Sequence, residues 1–216
     1  MSTQFTRFVL AIVTACLLGC GSTAQTVPVV TNFDANKYLG TWYEIARLDF
    51  WFERNLNNTS AEYSKLDDAR IKVVNKGFNY KTEQWKQAQG KAKFKNTPNE
   101  GALEVSFFGP FYSAYNIVAL DKDYQYALIA GRSTDYLWLL SRTKSIPDAV
   151  KADYLKQAKA LGYDVNQLIW VKHDWAFIVG RALPNVCHSL WLQTLKGNCL
   201  WQALYVGANV NCTCWW

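Results

Sequence analysis

The alternation of apolar and polar positions is the strongest structural signal along the middle of this chain. Residues 91–95 show it most clearly, because Ala92 and Phe94 share one face of an extended segment and three lysines share the other. Turn-forming residues separate such segments, which predicts a series of short β-strands. The predicted strands are one opening at Trp42 and residues 61–64, 71–73, 91–95, 103–107, 115–120, 126–130 and 136–141.

Eight antiparallel strands can close into a barrel whose interior holds one small ligand, or they can form two packed sheets. The alternation does not distinguish these folds. Residues 148–161 carry an apolar stripe at helical spacing, with Pro147 before it and Gly162 after it. A single late helix is the element that packs against the outside of a barrel. Residues 168–171 predict one more short strand.

The N-terminal segment has the pattern of a signal that is processed and removed. Residues 8–18 are mostly apolar, and this stretch is too short to cross a bilayer. It ends in the letters LLGC, which resemble the lipobox of bacterial lipoproteins. That resemblance implies a signal peptide over residues 1–19, acyl chains on Cys20, a tether over residues 20–31, and sorting to the outer membrane because Gly21 is not aspartate. An unmodified thiol in an ordinary signal peptide is the alternative.

Composition adds few constraints on the partner. The chain has 216 residues, 50% of them hydrophobic, so it can bury one large core. The formal charge of +6 comes from dispersed lysines and arginines with no run of five or more. This distribution indicates a solvated surface and no nucleic-acid partner.

The composition changes sharply after residue 172. Residues 173–216 contain five tryptophans, four cysteines and no acidic residue beyond Asp174. Three interpretations stay open: an appended or frameshifted tail outside the main fold, a disulfide-bonded extension, and a zinc site. The spacing fits no familiar zinc module, so we predict no metal. The candidate sulfur and nitrogen ligands are Cys187, His188, Cys199, Cys212 and Cys214.

Three separated motifs resemble the signature of the lipocalin family: Gly40-Thr41-Trp42 with the residues up to Arg47, Thr134-Asp135-Tyr136, and Arg142. The predicted domain, barrel plus helix, takes residues 32–172. The resemblance implies an all-β fold, an eight-stranded antiparallel up-and-down barrel with one C-terminal α-helix packed outside. The large indole of Trp42 would plug one end as a structural floor, with the guanidinium of Arg142 across the ring. The residues assigned to this floor are Gly40, Trp42, Thr134, Asp135, Tyr136 and Arg142.

Within the family, the chain resembles the bacterial outer-membrane lipoproteins in residues 32–34, 38–47, 52–54, 105–112 and 135–138. This implies binding and carriage of a fatty acid or lysophospholipid, membrane maintenance under stress, no cofactor, and a homodimer as an option. Catalysis is not predicted, because the sequence has no G-x-S-x-G, H-E-x-x-H or P-loop motif. Two alternatives are a lipid-modifying enzyme that uses Glu44, and an envelope protein whose barrel is filled.

Strand parity from Trp42 predicts which side chains line the ligand cavity. Glu44 falls on that face, either as a polar group satisfied within the protein or as a contact for a ligand headgroup. The loop over residues 48–52, which carries three consecutive aromatics, lies opposite the floor and is either a lid or a membrane portal. The predicted lining is Glu44, Ala46, Phe94, Val105, Phe107, Tyr115, Leu128 and Trp138.

Overall fold

The computed structural model describes residues 27–174 together with 201–206 and 209–214. A short helix, α1 (Ala35–Tyr38), precedes the strands, and a longer one, α2 (Asp148–Ala160), follows the eighth strand. The first eight strands are β1 (Gly40–Arg47), β2 (Leu56–Lys65), β3 (Arg70–Asn79), β4 (Gln84–Phe94), β5 (Ala102–Phe108), β6 (Phe111–Leu120), β7 (Tyr126–Ala130) and β8 (Leu137–Ser141). The later strands are β9 (Ile169–Trp170), β10 (Trp201–Val206) and β11 (Asn209–Cys214).

The sheet closes on itself because β1 pairs with strands on both sides. Each strand from β2 to β7 pairs antiparallel with the next, and β1 pairs with both β2 and β8. Tyr43 lies opposite Ser60 on one side and Ser141 on the other. The predicted up-and-down barrel is therefore confirmed, and the two-sheet alternative is wrong. Strand β9 adds to the edge of β1 beyond this ring.

The barrel wall separates two apolar cores. The inner core surrounds Trp42 and includes Val73 and Ile129. The outer core lies between the wall and α2, where Tyr154 and Ala158 of the helix pack on Leu128 and other wall residues. Tyr154 also donates a hydrogen bond to the carbonyl of Tyr126, at 3.0 Å. The helix outside the barrel is thus confirmed, and it ends one residue before the predicted boundary.

The loops divide between two ends of the barrel, which we call the closed end and the open end. The closed end carries α1 and the β2–β3, β4–β5 and β6–β7 turns, whereas the open end carries the β1–β2, β3–β4, β5–β6 and β7–β8 loops. Within the described residues, neither helix combines the length and apolar character needed to cross a lipid bilayer.

Part of the predicted floor is wrong in position. Strand β8 runs from the open end to the closed end, so residues before and after it lie at opposite ends of the barrel. Thr134, Asp135 and Tyr136 precede β8 and therefore sit in an open-end loop, where Tyr136 borders the cavity. Of the predicted floor residues that flank β8, only Arg142, which follows the strand, reaches the floor.

Several predictions concern residues outside the described part of the chain. The signal peptide and the site of lipidation at Cys20 lie there. Residues 173–174 and two tail strands are described; β10 and β11 pair only with each other as an antiparallel hairpin. The nature of the tail as a whole stays a prediction.

Candidate functional site

The closed end is sealed by a stacked pair. The guanidinium carbon of Arg142 lies 3.9 Å from the centre of the Trp42 ring. The same guanidinium donates hydrogen bonds to the carbonyls of Lys37 at 2.8 Å, Thr41 at 3.0 Å and Tyr124 at 3.1 Å. Gly40 adopts a positive φ of 96°, a conformation in which a residue with a side chain would be strained. A Cβ atom at this position would also come close to the guanidinium of Arg142. Gly40, Trp42 and Arg142 thus lie together at the closed end, as the floor prediction expects.

Above the floor, three tyrosine hydroxyls form a buried chain. The Tyr115 hydroxyl lies 2.7 Å from that of Tyr38 and 2.8 Å from that of Tyr63. Burial raises the pKa of all three phenols, so they stay protonated and neutral. This layer satisfies its own polar atoms and separates the floor from the space above it.

The open half of the barrel contains a cavity of about 360 Å³, which we call the aromatic lobe. Five of the predicted lining residues border it: Glu44, Val105, Phe107, Tyr115 and Trp138. The β1–β2 loop adds Phe50, Trp51, Phe52 and Glu53, and a 3₁₀ turn over Trp51–Glu53 aims them across the mouth. The volume and the mainly apolar wall are those of a site for one small hydrophobic molecule.

Three predicted lining residues do not border this cavity. Ala46 and Leu128 face the outer core against α2, so their predicted inward orientation is wrong. Strand β1 bulges between Glu44 and Ala46, and this places Ala46 outside. Strand β7 is buried on both faces, so its pattern does not reveal that Leu128 points outward. Phe94 packs on the inner core but lies below the cavity.

The bulge in β1 has a second effect, because it turns Arg47 into the barrel. Arg47 pairs in register with Trp138, whose side chain borders the cavity, and it is almost fully buried. Its guanidinium donates to the Glu44 carboxylate at 2.5 Å and to the backbone carbonyl of Glu53 at 2.8 Å. The Trp138 indole donates to the Glu53 carboxylate at 2.9 Å. These bonds fix the β1–β2 loop to the barrel interior.

The two carboxyl groups at this point are strongly perturbed. Burial, together with the negative charge of Glu53, raises the pKa of Glu44 to about 8, although Arg47 opposes the shift. Burial also raises the pKa of Glu53, against the indole of Trp138 and the charge of Arg47. At neutral pH the pair therefore holds a proton that isolated carboxyl groups would have lost.

A second cavity of about 510 Å³ adjoins the first, and we call it the second lobe. Both lobes share Glu44, Glu53 and Asn75, together with the rings of Trp51 and Phe52. The second lobe extends towards β3 and β4, where Lys76 and Lys86 are exposed at its rim. The walls of both lobes are mainly apolar, and the buried carboxyl groups lie where the two lobes meet.

The mouth of the aromatic lobe carries unusually exposed aromatic side chains. Trp51 is 66% exposed, Phe108 62% and Phe111 78%, and all three border the cavity. Such apolar surface at the entrance of a site is where a hydrophobic ligand or a lipid surface makes contact.

The family model for the lipocalin-like domain matches residues 33–173, well over half of the chain. This chain is a lipocalin. The outer membrane lipoprotein Blc of Citrobacter freundii is 51% identical over 172 residues, which cover 78% of this chain and 97% of the relative. The protein of the same name from Escherichia coli K12 is 50% identical over 167 residues, covering 76% and 94%.

Solved structures support the fold of this lipocalin. Insecticyanin from the tobacco hornworm, Manduca sexta, superposes with a TM-score of 0.59 at 22% identity, covering 72% of this chain and 88% of that one. The cockroach allergen Per a 4 gives a TM-score of 0.56 at 21% identity, covering 71% and 97%. Through its relationship to the bacterial proteins, this lipocalin is a lipid-anchored protein of the outer membrane.

Sequence reasoning missed Arg47, Glu53 and Asn75. Arg47 and Glu53 stand inside the motifs that carry the family resemblance, but an arginine near the end of a strand has the pattern of a solvent-exposed residue. The bulge that brings it inward leaves no signal in the alternation. Among residues 27–174 and the two tail strands, no group of three or more His, Cys, Asp or Glu side chains could hold a metal ion.

Proposed function

We propose that this outer-membrane lipocalin holds one fatty acid or lysophospholipid, with the acyl chain in the aromatic lobe. The observation that carries the proposal is an apolar cavity of about 360 Å³ that opens at one end of the barrel between aromatic side chains. Lipocalins are generally binding or transport proteins rather than enzymes, and the interior fits that role.

The size of the hydrophobic effect supports a useful affinity. A buried sixteen-carbon chain contributes about 11 kcal/mol at about 0.8 kcal/mol per CH₂ group. Immobilising the chain and the protein side chains costs several kcal/mol. The expected dissociation constant is therefore about micromolar or somewhat lower.

The exposed rim suits exchange of that ligand with a membrane. Trp51, Phe108 and Phe111 place apolar rings at the mouth, where an acyl chain leaving a bilayer would keep apolar contacts. Acyl chains on Cys20 would hold the barrel near the outer membrane, since two or three chains give stable attachment. We infer that the protein carries or stores lipid at the membrane, and the resemblance to the bacterial lipoproteins implies a role in membrane maintenance under stress.

A charge placed in the aromatic lobe tests the site. Val105→Asp should reduce binding of palmitate at least a hundredfold, because a carboxylate in the acyl site must be desolvated. Val74→Asp is the matched control, since Val74 lies on β3 next to the inward-facing Val73 and on the opposite face. Fluorescence titration gives both affinities. Equal binding by the two variants would place the ligand elsewhere.

The anchor is tested by lipidation. Labelled palmitate should enter the wild-type protein, and Cys20→Ser should abolish the label and release the barrel from the outer membrane. Cys16→Ser controls for the loss of a thiol in the same segment. Continued partition of Cys20→Ser with the outer membrane would disprove the role of this residue.

A further inference from the structure

One stretch of the barrel wall is completed from outside by residues 169–174, which we call the strap. The register of β1 with β2 ends at the pair Tyr43–Ser60, although β1 continues for four more residues. Beyond that pair, the first residues of the strap pair antiparallel with β1. The Lys172 carbonyl then accepts a hydrogen bond from the amide of Asn58 on β2, at 2.8 Å. The strap therefore joins the two strands where they no longer pair with each other.

The strap bonds to β1 at its bulge. Ile45 is the extra residue of that bulge, because Glu44 and Ala46 have consecutive partners on β8. The Ile45 carbonyl accepts a hydrogen bond from the amide of Val171 at 2.9 Å. The Glu44 carbonyl lies 2.7 Å from Nε2 of His173, and Nε2 is the donor because a carbonyl oxygen only accepts. The strap thus supplies one donor to each of these two carbonyls.

The state of the His173 imidazole shows which of its atoms matters. Burial lowers the pKa of His173, and the charge of Lys144 acts in the same direction, against the hydrogen bond to Glu44 and the charge of Asp174. The ring is therefore neutral at neutral pH, with its one proton on Nε2. Within the described residues Nδ1 is buried and has no hydrogen-bond partner, which costs stability. The ring also packs edge-on against Tyr43, but an apolar ring would pack there without that cost.

The residues held at the bulge also form the cavity wall. The Glu44 side chain borders both lobes, while its backbone carbonyl bonds to the strap. Just after the bulge, Arg47 donates to the Glu44 carboxylate and to the carbonyl of Glu53 in the β1–β2 loop. The aromatic rings of that loop border both lobes. The conformation of the bulge therefore sets the position of two charged groups and of the loop over the cavity.

We propose that His173 is a positioning residue for the ligand site and acts from outside the barrel wall, through the Glu44 carbonyl. Its N–H bond keeps the bulge of β1 in one conformation, and the bulge places the Glu44 carboxyl and the Arg47 guanidinium at the cavity. The effect on lipid binding rests on the proposed function. The effect on the Glu44 carboxyl does not require a ligand.

Two substitutions separate the N–H donor from the packing of the ring. His173→Phe keeps an aromatic ring beside Tyr43 but has no donor for the Glu44 carbonyl, and it should fold because it also removes an unpaired buried nitrogen. His173→Gln loses the ring but carries an amide N–H that can donate to the same carbonyl. Lys172→Ala, which changes an exposed side chain next to His173, is the matched control.

Titration of the Glu44 carboxyl in ligand-free protein, by carbon NMR of the glutamate side chains, is the first measurement. Burial is the largest cause of the raised pKa of Glu44, so a loosened bulge in His173→Phe should admit water and lower that pKa towards the ordinary carboxyl range. His173→Gln and Lys172→Ala should keep the wild-type titration. The Glu44 signal is the one lost in Glu44→Gln and kept in Glu62→Gln, which changes an exposed carboxyl on β2.

Palmitate affinity, measured by calorimetric titration, is the second measurement. His173→Phe should weaken binding about tenfold, the loss that corresponds to one hydrogen bond of ordinary net strength. His173→Gln and Lys172→Ala should bind palmitate as the wild type does. A role of His173 in packing alone predicts the reverse order, with His173→Phe intact and His173→Gln impaired.

The outcomes separate this proposal from the proposed function. An unchanged Glu44 titration in His173→Phe, or equal changes in His173→Phe and His173→Gln, would overturn the positioning role. Failure of the wild-type protein to bind palmitate would overturn the proposed function, and the Glu44 titration would still decide the role of His173. Melting curves establish that each variant is folded.

Discussion

The two ends of this barrel use similar residue types for opposite purposes. At the closed end the Trp42 indole donates to the backbone carbonyl of Tyr38 at 2.9 Å, and its ring is stacked under Arg142. At the open end the Trp138 indole donates to the carboxylate of Glu53 and borders the cavity. Each tryptophan has its partner, but only the open-end partner is ionisable and exposed to a ligand.

The difference shows how stability and binding are divided along one β-barrel. The closed end pairs its polar atoms with backbone groups and fills its volume with rings, which favours a single packed state. The open end keeps volume, carboxyl groups with raised pKa values and exposed aromatic rings. Such features lower stability, and they are found where a ligand is bound.

The largest expected effect tests the closed end. Trp42→Ala removes a fully buried indole from the inner core, so it should lower the free energy of unfolding by about 4 kcal/mol. Urea denaturation measures this loss. The comparison between the two ends would fail if Trp138→Ala destabilised the protein as much.

A pH titration of stability tests the open end. Because the pKa of Glu44 is raised in the folded protein, the native state binds more protons than the unfolded state between the ordinary carboxyl value, about 4.3, and about 8. Stability contributed by the protonated group is therefore present at low pH and is lost as the pH rises through this window. The melting temperature of Glu44→Gln should therefore fall less as the pH rises than that of the wild type. By pH 8 this difference in the fall should amount to several degrees. Glu62→Gln should follow the wild-type curve, and a parallel curve for Glu44→Gln would refute the shift.

The smallest expected effect sharpens the contrast between the two tryptophans. Trp138→Ala should weaken palmitate binding about tenfold, or about 1.4 kcal/mol, because part of the acyl contact is lost. Trp85 lies on β4, is half-exposed and does not border either lobe, so Trp85→Ala serves as the matched control. Fluorescence titration of both variants supplies the affinities. Equal losses would mean that Trp138 has no specific contact with the chain.

The sequence by itself determined the strands, the outer helix and the part of the floor formed by Gly40, Trp42 and Arg142, although it wrongly assigned Thr134, Asp135 and Tyr136 to that floor. Alternation identified the strands because a barrel wall has one face towards the interior and one towards water over much of its length. The motifs around Trp42 and Arg142 were sufficient to predict the stacked pair at the closed end. Trp42 lies within a strand and Arg142 directly follows one, so the direction of the strands brings the two residues together.

Only the tertiary structure decided the open end. The bulge in β1 moves Ala46 out and Arg47 in, and a shift of one residue exchanges the two faces of a strand without changing its composition. Leu128 faces outward on β7, a strand with apolar residues on both faces. The sequence pattern of such a strand does not show which of its residues face the interior. The meeting of Glu44, Glu53 and Asn75 joins residues from two strands and a loop. The raised pKa values of the two carboxyl groups, and the border that all three residues share, arise from burial and proximity, which exist only once the barrel has closed.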